Sequence, residues 1–164
     1  MRIERTLAAA RRRLMGLLDD GSWCPCCDQW AKRYRRALNG TMVRSLIWLV
    51  GEHQRSAAHG GDRWIDVPAV GPKWVTTTNQ HATLRWWDLA ERLPSKAPAK
   101  KHSGVWRPTA LGVRFAHGET LVPSHVIHYN NEVVGRSETW VSVRQALGVK
   151  FDYEATMGSA GLAG

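Results

Sequence analysis

The sequence predicts an α+β fold, on three observations. Apolar residues recur at helical spacing in several segments, short alternating runs bounded by Gly, Pro and Asn lie between and after them, and the last third of the chain turns from helical repeats to strand-like texture. At 164 residues there is room for one ordinary domain or two small lobes. A composition of 43% hydrophobic and 23% charged residues excludes a chain disordered throughout.

The first segment carries Ile3, Leu7, Ala10, Leu14 and Leu17, the seam of an amphipathic helix that Asp19, Asp20 and Gly21 stop. So short a seam favours packing within the domain, and a homodimer stays open. Trp23-Cys24-Pro25-Cys26-Cys27-Asp28 reads as a tight turn into a helix over residues 28–38. Trp30, Tyr34, Ala37 and Leu38 would form one face of that helix, while Lys32, Arg33, Arg35 and Arg36 crowd the rest. Asn39-Gly40 ends it, and Thr41 opens a core helix striped with Val43, Leu46, Ile47 and Val50. Residues 52–63 read as a polar surface loop around Gly60-Gly61.

Residues 64–67 alternate like a strand, and Pro68 and Gly71-Pro72 punctuate a short turn of structure around residues 73–75. Thr76, Thr77 and Thr78 offer N-cap hydroxyls to a helix running to about Leu93, with Ala82, Trp86, Leu89 and Leu93 inward and Pro94 closing it. Residues 95–103 form a flexible basic loop. Residues 105–107 are strand-like, Thr109 caps a short helix through Phe115, and Asn130-Asn131 joins residues 126–129 to 132–134 as a β-hairpin. Ser142 caps one turn to Leu147, residues 151–157 form another, and a small-residue tail is expected to be disordered.

This order is that of a winged helix-turn-helix core with an N-terminal helical extension and a C-terminal β-hairpin segment. It divides the chain into a basic helical segment with the cysteine knuckle (1–40), the winged helix-turn-helix (41–118), the hairpin and short helices (119–157) and the tail (158–164). Residues 24–38, Leu84-Arg85-Trp86-Trp87-Asp88-Leu89, Val105-Trp106-Arg107-Pro108-Thr109-Ala110-Leu111-Gly112 and residues 146–154 resemble an uncharacterised family of bacteriophage and prophage proteins. That resemblance implies a phage-related source and brings no activity with it. The crowding of three cysteines within residues 24–27 and an N-terminus without a signal peptide's apolar segment make the cytoplasm, here that of a bacterial host, the expected location.

The net charge of +9 is unevenly spread. Residues 1–60 hold 11 Lys and Arg against 5 Asp and Glu, residues 61–103 hold 7 against 4, and residues 104–164 hold 5 against 5. A polyanion would therefore meet the first two thirds of the chain, and nucleic acid is the foremost candidate. In a recognition helix the side chains that read bases would be Asn79, Gln80, Thr83 and Arg85, because paired donors and acceptors match base edges. Lys32, Arg33, Arg35, Arg36, Arg44, Lys96, Lys100 and Lys101 are the candidates for phosphate contact, which positions without specifying. A solvated charged surface is the competing reading for both sets.

Cys24 and Cys27 have the spacing of half a tetrahedral zinc site, with Cys26, His53, His59 or His81 as further donors. Zinc, packed reduced thiols and a redox pair all remain open. Catalysis finds little support. His125, His128 and Asn130-Asn131 lack the partners of a ββα-metal nuclease, no Gly-rich phosphate loop occurs, and Asp66, Asp88 and Glu91 make no catalytic pair. The expected function is non-catalytic binding of double-stranded DNA, as a phage regulator of transcription. The alternative is a phage protein that binds and inhibits a host protein, for which Trp23, Trp74, Trp87 and Trp140 would supply aromatic anchors. No apolar run approaches the length that spans a bilayer, so no membrane partner is expected.

Overall fold

Residues 6–61, 63–100 and 102–164 are described by the computed structural model, and their mixed helix and strand content is that of an α+β protein. The N-terminal part of the chain forms helix α1 (Leu7–Leu17), strands β1 (Ser22–Trp23), β2 (Trp30–Ala31) and β3 (Tyr34–Ala37), and the long helix α2 (Gly40–Ala58). Strand β4 (Ile65–Asp66), helices α3 (Val67–Val70) and α4 (Lys73–Thr78), a 3-10 helix (Gln80–Trp87), and strands β5 (Ala90–Arg92) and β6 (Val105–Pro108) come next. Helix α5 (Ala110–Ala116), strands β7 (Val122–Pro123), β8 (His125–Tyr129), β9 (Glu132–Arg136) and β10 (Trp140–Val141), and helices α6 (Val143–Leu147) and α7 (Tyr153–Ser159) complete it. No helix of the described residues is long and apolar enough to cross a membrane.

The elements gather into two units. One joins the residues up to Ala37 with His125–Ser137, and the other joins Leu38–Ser124 with Glu138–Gly164. The sequence-based boundaries at 40, 118 and 157 run along the chain, whereas these units interleave, because β3 is the edge partner of the β8–β9 hairpin.

The larger unit is built on α2. Asn39 caps it, its side-chain oxygen accepting the Met42 N–H at 3.0 Å, so the cap falls two residues before the expected Thr41. Val43, Leu46, Ile47 and Val50 are sealed from solvent as the stripe requires, and Met42 and Leu49 are buried beside them. A helix apolar on so many sides lies inside its unit, and α2 contacts the 3-10 helix, β6, α5, α6 and α7. It continues to Ala58 through residues whose polarity suggested a loop. β6 is the middle strand of an antiparallel sheet, pairing Trp106 with both Ile65 of β4 and Arg92 of β5. The hydroxyls of Thr109 and Ser142 cap α5 and α6 as expected. The expected tail is partly ordered helix: Gly158 and Ser159 belong to α7, and Ala160 is buried. A Cβ on Gly51 would lie 2.3 Å from the Ala160 carbonyl oxygen, so the glycine admits that backbone against α2.

The single helix expected over residues 78–93 is instead α4, the 3-10 helix and β5. Asn79 and Asp88 adopt left-handed φ values of 50° and 58° and interrupt the helix at both places, a conformation their short polar side chains tolerate. Burial then follows a three-residue turn, with His81, Leu84 and Trp87 inside; of the expected inward set Leu89 is fully buried, while Ala82, Trp86 and Leu93 are only half-buried. Trp87, expected outside, is fully enclosed.

In the smaller unit, Thr6 caps α1, and Ala10 and Leu18 are its buried positions. Leu7 is exposed, so the seam is rotated from the expected one, and Ile3 lies outside the described residues. The basic helix expected over residues 28–38 is a pair of strands. Asp28, the expected helix start, turns the chain at a φ of 53°, Trp23 pairs with Trp30, and β3 aligns Tyr34 to Ala37 with His128 to His125. Trp and Tyr favour a pleated, half-buried surface, and cross-strand partners prevail here over a helical phase that the charges only mimicked. The expected hairpin is present, with Asn130 and Asn131 both at positive φ as a two-residue primed turn requires.

Candidate nucleic-acid interface

The polar start of the 3-10 helix lies at the end of α4. Asn79 is exposed, and its N–H donates to the Val75 carbonyl at 2.9 Å, closing α4. Gln80 is half-buried, and its amide donates to the Thr78 carbonyl at 3.3 Å. The Thr83 hydroxyl donates to the Gln80 carbonyl at 2.7 Å and keeps its lone pairs available. A three-residue turn sets Gln80 and Thr83 along one edge and Arg85 on the next, where its guanidinium stands 5.8 Å from the Trp86 ring. Of the four expected base readers, three therefore cluster at one end and Arg85 diverges.

Gln80 and Thr78 border a recess of about 410 Å³ with Asn39, Gly40 and Thr41 at the start of α2 and with Lys150. The positive end of a 19-residue helix and an exposed lysine thus face the same space as Gln80. Lys150 also lines the neighbouring recess of about 420 Å³ beside Arg44. The Arg44 guanidinium lies 4.0 Å from the Trp74 ring centre and 5.0 Å from that of Phe151, an orientation fixed by aromatic faces. Sequence reasoning missed Lys150, which sits in the charge-neutral third of the chain. Lys96 and Lys100 are exposed in the loop between β5 and β6, and Lys101 lies outside the described residues.

The remaining expected phosphate contacts fall in the smaller unit, Lys32 and Arg33 in the link between β2 and β3 and Arg35 and Arg36 on β3. Arg33 is paired with Asp19 at 3.0 Å, and Arg35 reaches His125 Nδ1 at 3.5 Å. Lys32 and Arg36 are half-buried. Alternation along β3 sends Arg35 and Arg36 to opposite faces, which relieves the repulsion a basic helix would suffer. Burial, and then Arg35 and Arg36 respectively, push the His125 and His128 imidazoles below their ordinary range.

Cys24, Cys26 and Cys27 sit in the loop between β1 and β2. Cys24 is half-buried and the other two are exposed. Backbone N–H groups of Cys26 and Cys27 hydrogen-bond its sulfur and hold the Cys24 thiol below its usual range. The histidines considered as further ligands are engaged in the larger unit. The Nδ1 of His53 donates to the Arg63 carbonyl at 2.8 Å, that of His59 donates to the Arg55 carbonyl at 2.7 Å, and His81 is buried. Among the described residues, no group of three or more His, Cys, Asp and Glu comes together to hold a metal.

Comparison with known proteins yields no relative: no family model matches the chain, and neither a curated protein nor a solved structure is similar to it.

Proposed function

We propose that the protein is a non-catalytic DNA-binding protein, a phage-encoded regulator of transcription built as a winged helix-turn-helix. The observation that carries this reading is the topology of residues 40–108. A long helix, a short strand, a run of short helices and a two-stranded hairpin succeed one another, and the last strand, β6, pairs between β4 and β5. A winged helix has this order. Its last helix enters the major groove, and the loop of its hairpin forms the wing.

On this reading the 3-10 helix is the recognition element. Asn79 and Gln80 at its start read base edges with Thr83 beside them, and Arg85 contacts an adjacent base or phosphate. Lys96 and Lys100 are wing contacts to phosphate, while Arg44, Lys150 and the start of α2 grip the backbone next to the recognition element. The phage origin rests on the resemblance of the sequence blocks.

The test is binding to random duplex over a range of salt concentration. Engagement of six phosphates gives a log-log slope of about −5. A slope near zero, or no binding at low salt, defeats the DNA reading and leaves the aromatic protein interface as the alternative.

A further inference from the structure

The β1–β2 loop brings Cys24 and Cys27 together. Ser22 pairs with Ala31 and Trp23 with Trp30, the Cys24 N–H donates to the Gln29 carbonyl at 2.8 Å, and the Asp28 N–H donates to the Cys24 carbonyl at 3.0 Å. Within this frame the Cys26 and Cys27 thiols each come within hydrogen-bond reach of the Cys24 sulfur. Thiols that converge on one space can ligate a soft divalent metal. Cys24 and Cys27, and not Cys26, line a recess of about 230 Å³ that also holds Lys32, Tyr34 and Asn130 and no carboxylate.

Four thiolates complete a structural zinc site, and this loop supplies two. Around it, large apolar side chains lie open: Trp23 is 64% exposed, Trp30 is 47% exposed in edge contact with it at 5.4 Å, and Tyr34 is 49% exposed. A second copy of the same loop, related by a two-fold axis through the metal, supplies the other two sulfurs and lays one aromatic rim against the other. Charge agrees with this arrangement. Zinc with four thiolates carries two negative charges, and the axis places one Lys32 from each copy beside it.

We propose that Cys24 and Cys27 from two copies of the chain together hold one zinc ion and so join the protein as a homodimer. On binding, four thiol protons pass to solvent and four zinc–sulfur bonds form, with no oxidant or reductant involved. Cys26, exposed and outside the recess, is not a ligand.

The test takes the full chain under a reductant, titrates it with Zn²⁺, and reads native mass and metal content on the same sample. The expected result is one zinc per two chains, return to monomer on adding EDTA, and, with Co²⁺ in place of zinc, the visible absorption of a tetrahedral four-thiolate site. Cys24→Ser and Cys27→Ser, each confirmed folded by circular dichroism, lose the metal and stay monomeric, and Cys26→Ser behaves as the unaltered chain. Because serine also perturbs the hairpin, Lys32→Gln provides a variant that keeps both thiols, and it weakens zinc-dependent dimerisation by about tenfold. One zinc held by a monomer, a chain that stays monomeric at saturating Zn²⁺, or a dimer indifferent to EDTA overturns the proposal. None of these readouts involves DNA, so the DNA-binding reading stands or falls separately.

Discussion

The indole N–H of Trp87 donates to the Pro123 carbonyl oxygen at 2.7 Å, with both residues buried. This bond ties the end of the 3-10 helix to β7, 36 residues further on. Trp87→Phe keeps most of the apolar volume but removes the donor and opens a small void. The expected cost is about 1–3 kcal/mol, read as a lower urea midpoint at unchanged slope. A midpoint equal to that of the unaltered chain removes the bond from the account of stability.

Gly112 in α5 meets Leu89 closely enough that an added Cβ would overlap the Leu89 carbonyl oxygen, at 1.9 Å. Backbone cannot swing aside as a side chain does, so Gly112→Ala forces α5 away from the core. A loss of more than about 2 kcal/mol is expected. Gly158 in α7 has nothing within 4 Å of a built Cβ. Gly158→Ala there gains about 0.4–1 kcal/mol by restricting the unfolded chain. Thermal melts of the two variants should therefore move in opposite directions.

Local chemistry made some elements legible in the sequence. Thr109 and Ser142 announce α5 and α6 because their hydroxyls accept the Gly112 and Gln145 N–H groups whatever the tertiary context, and Asn130-Asn131 announces its hairpin by tolerating positive φ. Residues 28–38 misled because Trp30, Tyr34 and Ala37 satisfy a helical phase, while β3 shows no clean alternation of burial to betray a strand. In residues 80–87 periods of 3.0 and 3.6 both fit so short a run, and the tie is broken by left-handed turns at Asn79 and Asp88. Of the candidate interface, the polar helix start and the cysteine pair were visible locally. Lys150 was not, since only the packing of α6 and α7 on α2 brings it beside Gln80.

His81 is 5% exposed, its Nδ1 has no hydrogen-bond partner, and burial pushes its pKa down to about 4. A histidine depressed in the folded state binds its proton more readily when unfolded. Its contribution to stability is whole above pH 6.5 and lost as pH falls toward 4, by up to about 3 kcal/mol. His81→Leu abolishes that titration. The fall in urea midpoint between pH 7 and pH 4.5 should be smaller for the variant, since His125 and His128 titrate in both proteins. Equal falls would mean that the ring takes up its proton in the folded state.

The two kinds of DNA contact proposed would separate by their dependence on sequence and on salt. Asn79 and Gln80 stand at the start of the 3-10 helix, the end proposed to meet base edges, so Asn79→Ala and Gln80→Ala should each cost about 1–3 kcal/mol on a selected site. They should leave random-duplex binding and its salt slope nearly unchanged. Lys96→Ala and Lys100→Ala, in the exposed loop between β5 and β6, should weaken selected and random duplex alike and lower the salt slope by about one each. Arg44→Ala is the discriminating case within the phosphate set, because it also removes a guanidinium held 4.0 Å from Trp74. Arg44→Lys keeps the charge and loses only that planar stacking, so it should recover the salt slope without recovering full affinity. Titrations of all six variants on both duplexes at three salt concentrations decide the matter. If the Asn79 and Gln80 variants track the lysine variants in both measures, the 3-10 helix is not the element that reads sequence.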